Sequence, residues 1–303
     1  MFGTSAVVSL DYLATLDHLI WLRTGQRAAE ALSCVQATVS RNSRKCLEVF
    51  GLELARRRGE WRLIGDTTLL NLERSVHQEW RWSRNLTLRL EAQHWSAPGL
   101  DGLALANWQR GNFNQLEYEQ PLALLKDGVI DAWICSAPDA PVRDGLAALR
   151  LTTMPMHLMV PLGHPLADRR CPIVWDELLS YPVLPLPDGS FPIFEGVLRQ
   201  CGLLPSPERE QAMKQASWFG KVPVEAMLIG YSSPLTLHLF GDDWVRLPQR
   251  LPVEVSDVLM VREPYRDHPR TQALFNHLTD HLSRLAAPHP DVIVHGSPVA
   301  YVV

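Results

Sequence analysis

Arg23 to Arg62 reads RTGQRAAEALSCVQATVSRNSRKCLEVFGLELARRRGEWR. This stretch contains nine Lys and Arg residues against four Asp and Glu, a local net charge of +5, whereas the whole 303-residue chain carries −4. Within it, residues 28–41 have the pattern of a short helix, a tight turn and a second helix. A basic helix-turn-helix on an acidic chain predicts binding to DNA phosphates, with the acidic remainder limiting non-specific contacts elsewhere.

Three helices are predicted around this turn. The first has one apolar face, because apolar residues recur at helical spacing at Leu13, Leu16 and Ile20. Thr24 can cap the second helix at its N-terminus, and Ala28, Ala29 and Leu32 are expected to face inward. The small alanine side chains allow two helices to cross closely over a short turn.

A third helix is predicted from about Gln36 to Phe50, with Gly51 ending it. Its apolar stripe has helical spacing at Val39, Ser43, Cys46 and Phe50. The remaining face is predicted to contact DNA through Gln36, Ala37, Thr38, Ser40, Arg41, Arg44 and Lys45. Gln and Arg side chains can make paired hydrogen bonds to adenine and guanine edges in the major groove. The alternative is a three-helix core whose charged face is simply solvated.

A two-stranded wing is predicted after the third helix, in LARRRGEWRL (Leu54 to Leu63). Gly59 supplies the turn between the strands. Arg57 and Arg58 are expected to reach phosphates or a narrow minor groove.

Four segments together resemble the LysR-type transcriptional regulators. The helix-turn-helix and wing come first, and three downstream segments follow at the family's spacing: LLKDGVIDAWI (Leu124 to Ile134), MVPLGHPLADRR (Met159 to Arg170) and MLIGYSSP (Met227 to Pro234). The resemblance covers about residues 10–285 and is specific because of the spacing. It departs from the family at Gly25, where an aromatic residue is usual, and at Val35 and Ala37, which replace a serine and a proline. Ser33 is an alternative cap for the third helix, so the chain is identified as a divergent member.

A long helix is predicted after the wing, capped by Asp66 or Thr67 and running to about Arg84. One face of this helix is an apolar seam made of Leu69, Leu72, Val76 and Trp80. The resemblance implies a dimerising linker helix, and one DNA reader covers only half of a symmetric site. The alternative is that the seam packs on its own helix-turn-helix.

From Leu86 onward, strand and helix patterns alternate, which predicts parallel sheets covered by helices. Strands are predicted at Leu86–Ala92, Asn112–Tyr118, Val129–Cys135, Met156–Pro161, Val183–Leu186 and Val255–Val261. Helices are predicted near Leu100–Trp108, Pro121–Lys126, Trp175–Leu179, Phe194–Cys201 and Thr271–Leu285.

The expected fold class is α+β and multi-domain, with a winged helix-turn-helix, a linker helix and an α/β effector domain. The boundaries are 1–65 for the DNA-binding domain, 66–85 for the linker and dimerisation helix, 86–287 for the effector-binding domain and 288–303 for a tail. The resemblance implies two Rossmann-like subdomains of the periplasmic-binding-protein type, 86–160 with 262–287 and 161–261. Met156–Pro161 and Val255–Val261 are then the two crossover strands.

The resemblance implies a regulator switched by a small molecule bound between these subdomains. Ser96 can cap a helix after the first strand, which favours an anion, and aromatic rings nearby suggest an aromatic or other organic acid. The expected effector contacts are Trp95, Ser96, Ser136, Ser190, Phe191, Trp218, Phe219 and Tyr231. Two alternatives stay open. Trp218 and Phe219 can be core residues beside serines that only cap helices, or the chain is an orphan regulator controlled by protein partners or abundance.

Catalytic signatures are missing from the sequence, which contains no GxSxG, GxGxxG, Walker or HExxH motif. No enzyme activity and no cofactor are therefore expected, and a metal site at His277 and His281 is weighed against a solvated helix face. Five scattered cysteines favour a reducing, cytoplasmic location, although a Cys171–Cys201 redox pair is an alternative. The expected partners are a double-stranded DNA operator, the effector, RNA polymerase as a further candidate, and a homodimer or homotetramer, with no membrane.

Overall fold

A computed structural model describes residues 8–57, 59–168, 173–184, 186, 191–203, 227–237 and 241–301. The chain divides into two compact units, which we call unit 1 and unit 2. Unit 1 consists of the residues up to Ala92 together with Ala104–Phe113 and Glu119–Trp133. Unit 2 consists of Gln93–Leu103, Asn114–Tyr118 and the residues from Ile134 onward.

Unit 1 contains the three N-terminal helices, the wing and the long helix that the sequence predicts. These elements are α1 (Leu10–Leu22), α2 (Gly25–Ala31), α3 (Gln36–Phe50), β1 (Glu53–Arg57), β2 (Glu60–Ile64) and α4 (Thr68–Ser83). Unit 1 also contains β3 (Leu88–Ala92), which pairs in parallel with β4 (Trp108–Arg110), and α5 (Glu119–Lys126).

Local chemistry explains where the N-terminal helices begin and end. The Thr24 hydroxyl accepts a hydrogen bond from the backbone N–H of Arg27 and caps α2, as predicted. Gly51 ends α3 in the left-handed conformation, with φ of 64°, which glycine adopts without strain. Ser33 does not cap α3, because Val35 holds the capping position and no side chain bonds to the first turn. The Asp66 carboxylate accepts from the N–H of Thr68 and begins α4.

Unit 2 is built on strands in the order β5, β8, β6 and β7, with β9 beside β6. Its elements are β5 (Ala132–Ala137, beginning at the end of unit 1), β6 (Leu146–Pro161), α6 (Trp175–Leu178), α7 (Pro192–Gln200), β7 (Gly230–Ser232), β8 (Trp244–Arg262), α8 (Pro269–Ala286) and β9 (Ile293–Ala300). The predicted crossover strands are the C-terminal parts of β6 and β8, which are longer than expected. They pair antiparallel from Leu146 opposite Arg262 to Pro161 opposite Trp244.

Three predicted elements differ from the structure. Leu100–Trp108 is not a helix. A single 3-10 turn covers Ala97–Leu100, and left-handed residues at Gly102 and Asn107 interrupt the chain beyond it. The strand predicted at Asn112–Tyr118 is reduced to one bridge between Gln93 and Gln115. In the described part of the strand predicted at Val183–Leu186, which excludes Pro185, Val183 forms one bridge with Ile229.

The predicted tail contains a strand. β9 pairs antiparallel with β6, and Thr153 lies opposite Ile293. The Thr153 hydroxyl and the His295 ring are 2.9 Å apart, and Tyr301 donates its backbone N–H to Ala148. The segment has no helical period that would reveal it, because it becomes a strand by pairing with the edge of β6.

Candidate functional site

The polar face of α3 is turned to solvent. Gln36, Ala37, Ser40, Arg41, Arg44 and Lys45 are all exposed, and Thr38 is half-buried. The opposite face is buried at Val39, Ser43 and Cys46, where Val39 packs against Ala28 and Ala29 of α2. The helix therefore presents three cationic side chains and several hydrogen-bonding groups on a rigid support.

Two of the predicted DNA contacts are engaged within unit 1. The Gln36 side chain lies over Gly25, where an added Cβ would come within 3.0 Å of its Cγ. The departure at Gly25 therefore makes room for Gln36. The Lys45 ammonium donates to the Tyr12 hydroxyl at 3.2 Å and lies 5.2 Å from the centre of that ring. Arg41 and Arg44 are thus better placed than Lys45 to contact phosphates.

The wing is fixed to the end of α1. Trp61 donates its indole N–H to the carbonyl oxygen of Arg23 at 2.9 Å, and the Arg23 guanidinium pairs with Glu60 at 2.6 Å. Arg56 lies over the Trp61 ring at 5.7 Å. Arg57 is exposed on β1, and Arg58 lies outside the described residues.

The apolar seam of α4 is exposed. Leu69 is 66% exposed, Leu72 61%, Val76 64% and Trp80 45%. The alternative in which this seam packs on its own helix-turn-helix is therefore wrong for the described residues. The opposite face of α4 is buried instead.

A network of buried charged groups lies on that opposite face, within unit 1. Arg74 pairs with Asp17 of α1 at 2.8 Å. The Arg81 guanidinium donates to both oxygens of Asp131, at 3.0 and 3.1 Å, and Gln78 donates to the same carboxylate at 3.0 Å. This network cannot be recognised from the sequence alone, because charged residues on a helix usually indicate a solvated face.

A third buried acid in unit 1, Glu91, accepts three N–H groups and has no hydrogen-bonded guanidinium among the described residues. These come from the Trp21 indole at 2.8 Å, Ala92 at 3.0 Å and Phe113 at 2.8 Å. Burial raises the pKa of Glu91. Gly111 passes directly over this group, and any side chain there would run into the Glu91 carboxylate.

Unit 2 encloses a cavity of about 580 Å³, including open solvent at its mouth. Among the predicted effector contacts, Trp95, Ser136, Phe191 and Tyr231 line it. Ser190, Trp218 and Phe219 lie outside the described residues. Several residues of the wall were not predicted from the sequence: Tyr118, Asp139, Met154, Met156, Phe194, Thr236 and Asp257. For Asp257 a signal existed, because it is the one acid in the apolar run of β8 at residues 255–261.

Ser96 does not cap a helix, so this prediction is wrong. Its hydroxyl makes no capping bond, and the helix that follows is the 3-10 turn of four residues. Instead the Ser96 hydroxyl lies 3.1 Å from that of Ser136 and hydrogen-bonds the Asp257 carboxylate. Ser96 therefore offers no anion-binding helix end to the cavity.

The described residues contain no cluster of three His, Cys, Asp or Glu side chains that could hold a metal ion. The expected solvated face at His277 and His281 is wrong for His281, which is buried, while His277 is exposed. Cys201 is half-buried and Cys171 lies outside the described residues. None of the helices in the described ranges is long and apolar enough to cross a membrane.

Comparisons with known proteins agree with the sequence motifs. A family model, the LysR substrate binding domain, matches residues 112–283. A probable nitrogen assimilation transcriptional activator of Synechococcus elongatus is 28% identical over 183 residues, which are 54% of this chain and 59% of the relative. The chain thus aligns with little more than half the length of that relative.

The fold is also similar to a solved structure. Full-length OxyR from Pseudomonas aeruginosa, a variant protein, superposes with a TM-score of 0.54 over 91% of this chain and 95% of that chain, at 16% identity. This likeness shows the fold alone. Because the family model covers more than half of the sequence, this chain belongs to the LysR family, as the four motif segments indicated.

Proposed function

We propose that this protein is a sequence-specific DNA-binding regulator of transcription, switched by a small molecule bound in the cavity of unit 2. The observation that carries the DNA-binding part is the exposed polar face of α3 beside the arginines of the wing. A rigid helix of this kind fits the major groove, and the wing arginines fit the adjacent phosphates. The Synechococcus relative, a probable transcriptional activator, supports the same function.

The first experiment separates base contacts from phosphate contacts. A DNA site is selected from a random library with the wild-type protein, and affinities for that site and for random DNA are measured over a range of salt concentrations. Gln36→Ala is expected to lose about 1–3 kcal/mol at the selected site and little on random DNA. Arg44→Ala is expected to weaken both and to flatten the salt dependence by about one phosphate contact.

Arg143→Ala provides the control, because Arg143 is an exposed arginine of unit 2. Equal losses of Gln36→Ala on selected and random DNA would contradict the assignment of Gln36 to the base edges. An unchanged salt slope in Arg44→Ala would contradict the phosphate contact.

The exposed seam of α4 supports a dimer. Four large apolar side chains on one helix face are costly to leave in water, and a two-fold axis through the seam would pair two DNA readers on a symmetric site. The double variant Leu72→Glu, Val76→Glu is expected to sediment as a monomer and to lose most of its affinity for the selected site.

Leu162→Glu, Val174→Glu makes a matched control, since these apolar side chains of unit 2 are 56% and 71% exposed. If the seam variant keeps the wild-type mass, the seam is not the dimer interface. If the wild type sediments as a tetramer and the seam variant as a dimer, a second contact holds the tetramer together.

The proposal of effector control is based on the cavity, which combines aromatic walls with buried polar groups as binding sites for small molecules do.

RNA polymerase is a further candidate partner of such a regulator. Control by protein partners or abundance alone would follow if no small molecule altered DNA affinity.

A further inference from the structure

The walls of the cavity are aromatic and apolar. Phe191 meets Tyr118 with ring centres 5.4 Å apart and Trp95 at 6.4 Å, both edge to face. Phe194 meets Tyr231 in the same way at 5.1 Å. Met154 and Met156 complete the apolar surface. Such walls suit a flat ring, and ring faces also attract cations.

A buried acid, Asp257, is among the residues that line this cavity. Asp257 is 5% exposed, and its described partners are hydroxyls only. Thr152 donates to Asp257 Oδ2 at 3.1 Å, and Ser96 also bonds to the carboxylate. Neither partner carries a positive charge, so the negative charge of Asp257 is not compensated by the described residues. Burial raises its pKa to about 6, and it is therefore largely ionised at pH 7.5.

The second acid of the cavity, Asp139, occupies the place where an anionic ligand would bind. Its two oxygens accept the backbone N–H groups of Ile193, at 2.7 Å, and Phe194, at 3.1 Å. These groups form the first turn of α7, whose helix dipole would otherwise favour an anion there. The protein's own carboxylate already fills this position.

The described wall residues include two carboxylates and no Lys, Arg or His. A carboxylate ligand would enter a pocket of like charge, whereas a cation would pair with Asp257 and lie among aromatic rings. We propose that the cavity binds a small organic cation with a single ring, namely a protonated aryl-alkyl amine, and that Asp257 provides its counter-charge. This differs from the organic acid that the sequence suggested. This inference rests on the effector site proposed above.

The test uses three probes of similar size and different charge: benzylamine, benzyl alcohol and benzoate. Each is titrated into the full chain at pH 7.5 by calorimetry and ligand-observed NMR. Benzylamine is expected to bind with a dissociation constant on the order of 0.1–1 mM. Benzyl alcohol should bind about tenfold more weakly and benzoate not measurably, since one tenfold step corresponds to a single modest charge interaction.

Asp257→Asn tests the counter-charge directly. The amide keeps the size of the side chain and an oxygen that can accept from Thr152, so the fold is expected to persist. The variant should lose the preference for benzylamine over benzyl alcohol while still binding the alcohol. Asp144→Asn, which neutralises an exposed acid, is the matched control and should bind all three probes as the wild type does.

The affinity for the selected DNA site is measured in parallel with each probe. Benzylamine binding that depends on Asp257 but leaves DNA affinity unchanged supports the ligand class and contradicts the proposed switch. Benzoate binding that changes DNA affinity supports the switch and overturns the ligand class. Binding of none of the three probes, or equal binding of benzylamine by Asp257→Asn and wild type, also overturns the ligand class.

Discussion

Unit 1 and unit 2 each bury carboxylates, but they satisfy them differently. In unit 1, Asp131 accepts from the Arg81 guanidinium and from Gln78, and Asp17 pairs with Arg74. In unit 2, Asp257 has only neutral hydroxyl partners among the described residues. An acid paired with a cation holds elements together, whereas an unpaired acid in a cavity reduces stability and is available to a ligand. The contrast separates charges that are paired within the fold from the one that, in our proposal, pairs with a ligand.

The largest effect is expected where a pair is broken in unit 1. Asp131→Asn removes the carboxylate that pairs with the buried Arg81 guanidinium, and breaking such a pair typically costs about 3–5 kcal/mol. Urea unfolding of the variant at pH 7.5 should show this loss in the free energy of unfolding. Asp144→Asn, at an exposed position, is expected to change it by about 0.5 kcal/mol or less. A loss that small in Asp131→Asn would show that the network does not stabilise unit 1.

In unit 2, neutralising a buried acid is expected to raise the free energy of unfolding and not to lower it. The pKa of Asp257 is about 6 in the folded protein against an ordinary value of 3.8, because burial disfavours its charged form. Two units of pKa correspond to at most about 3 kcal/mol of destabilisation once the group is ionised. Asp257→Asn removes the charge and should therefore raise the free energy of unfolding at pH 7.5.

The pH profile gives the sign of this effect independently. A raised pKa means that the folded state holds the proton more tightly than the unfolded state. The destabilisation of the folded state by ionised Asp257 is thus absent below about pH 4, grows between about pH 4 and 6, and is complete above that range. The stability difference between Asp257→Asn and wild type should follow the same course. A difference that is equal at pH 4 and pH 7.5 would contradict the buried charge.

The part of the fold that the sequence predicts well is the part held by local interactions. Thr24, Gly51 and the alanine pair mark the ends and crossing of α2 and α3, and the predicted range of α3 matches the structure. The four seam residues of α4 share the exposed face that their spacing indicates. In unit 2, helices with clear period, such as α8, are also predicted nearly to their ends.

The missed features depend on contacts between distant segments. Arg81 meets Asp131 fifty residues later, and Thr152 meets Asp257 more than a hundred residues later. No local pattern distinguishes these charged residues from solvated ones. The lining of the cavity in unit 2 was predicted in part for the same reason, because Trp95 and Phe191 have an aromatic signature, whereas Asp139 and Asp257 reach the cavity wall only when the strands assemble.

Glu91, which has three N–H donors and no bonded guanidinium among the described residues, is an intermediate case and gives the smallest expected effect. Trp21→Phe removes the indole N–H while keeping an aromatic ring, but it also leaves a small void beside Glu91. A double-mutant cycle with Glu91→Gln separates the two contributions, because the void is common to both backgrounds. Because the glutamine amide oxygen can still accept from the indole, the coupling energy at pH 7.5 measures only the extra strength of the bond to a charged acceptor and is expected to be about 1 kcal/mol. Burial raises the pKa of Glu91, so the coupling should shrink as falling pH protonates it. A coupling near zero at pH 7.5 would show that two backbone N–H groups suffice for Glu91, and the ordering of buried acids by their donors would then fail at its middle member.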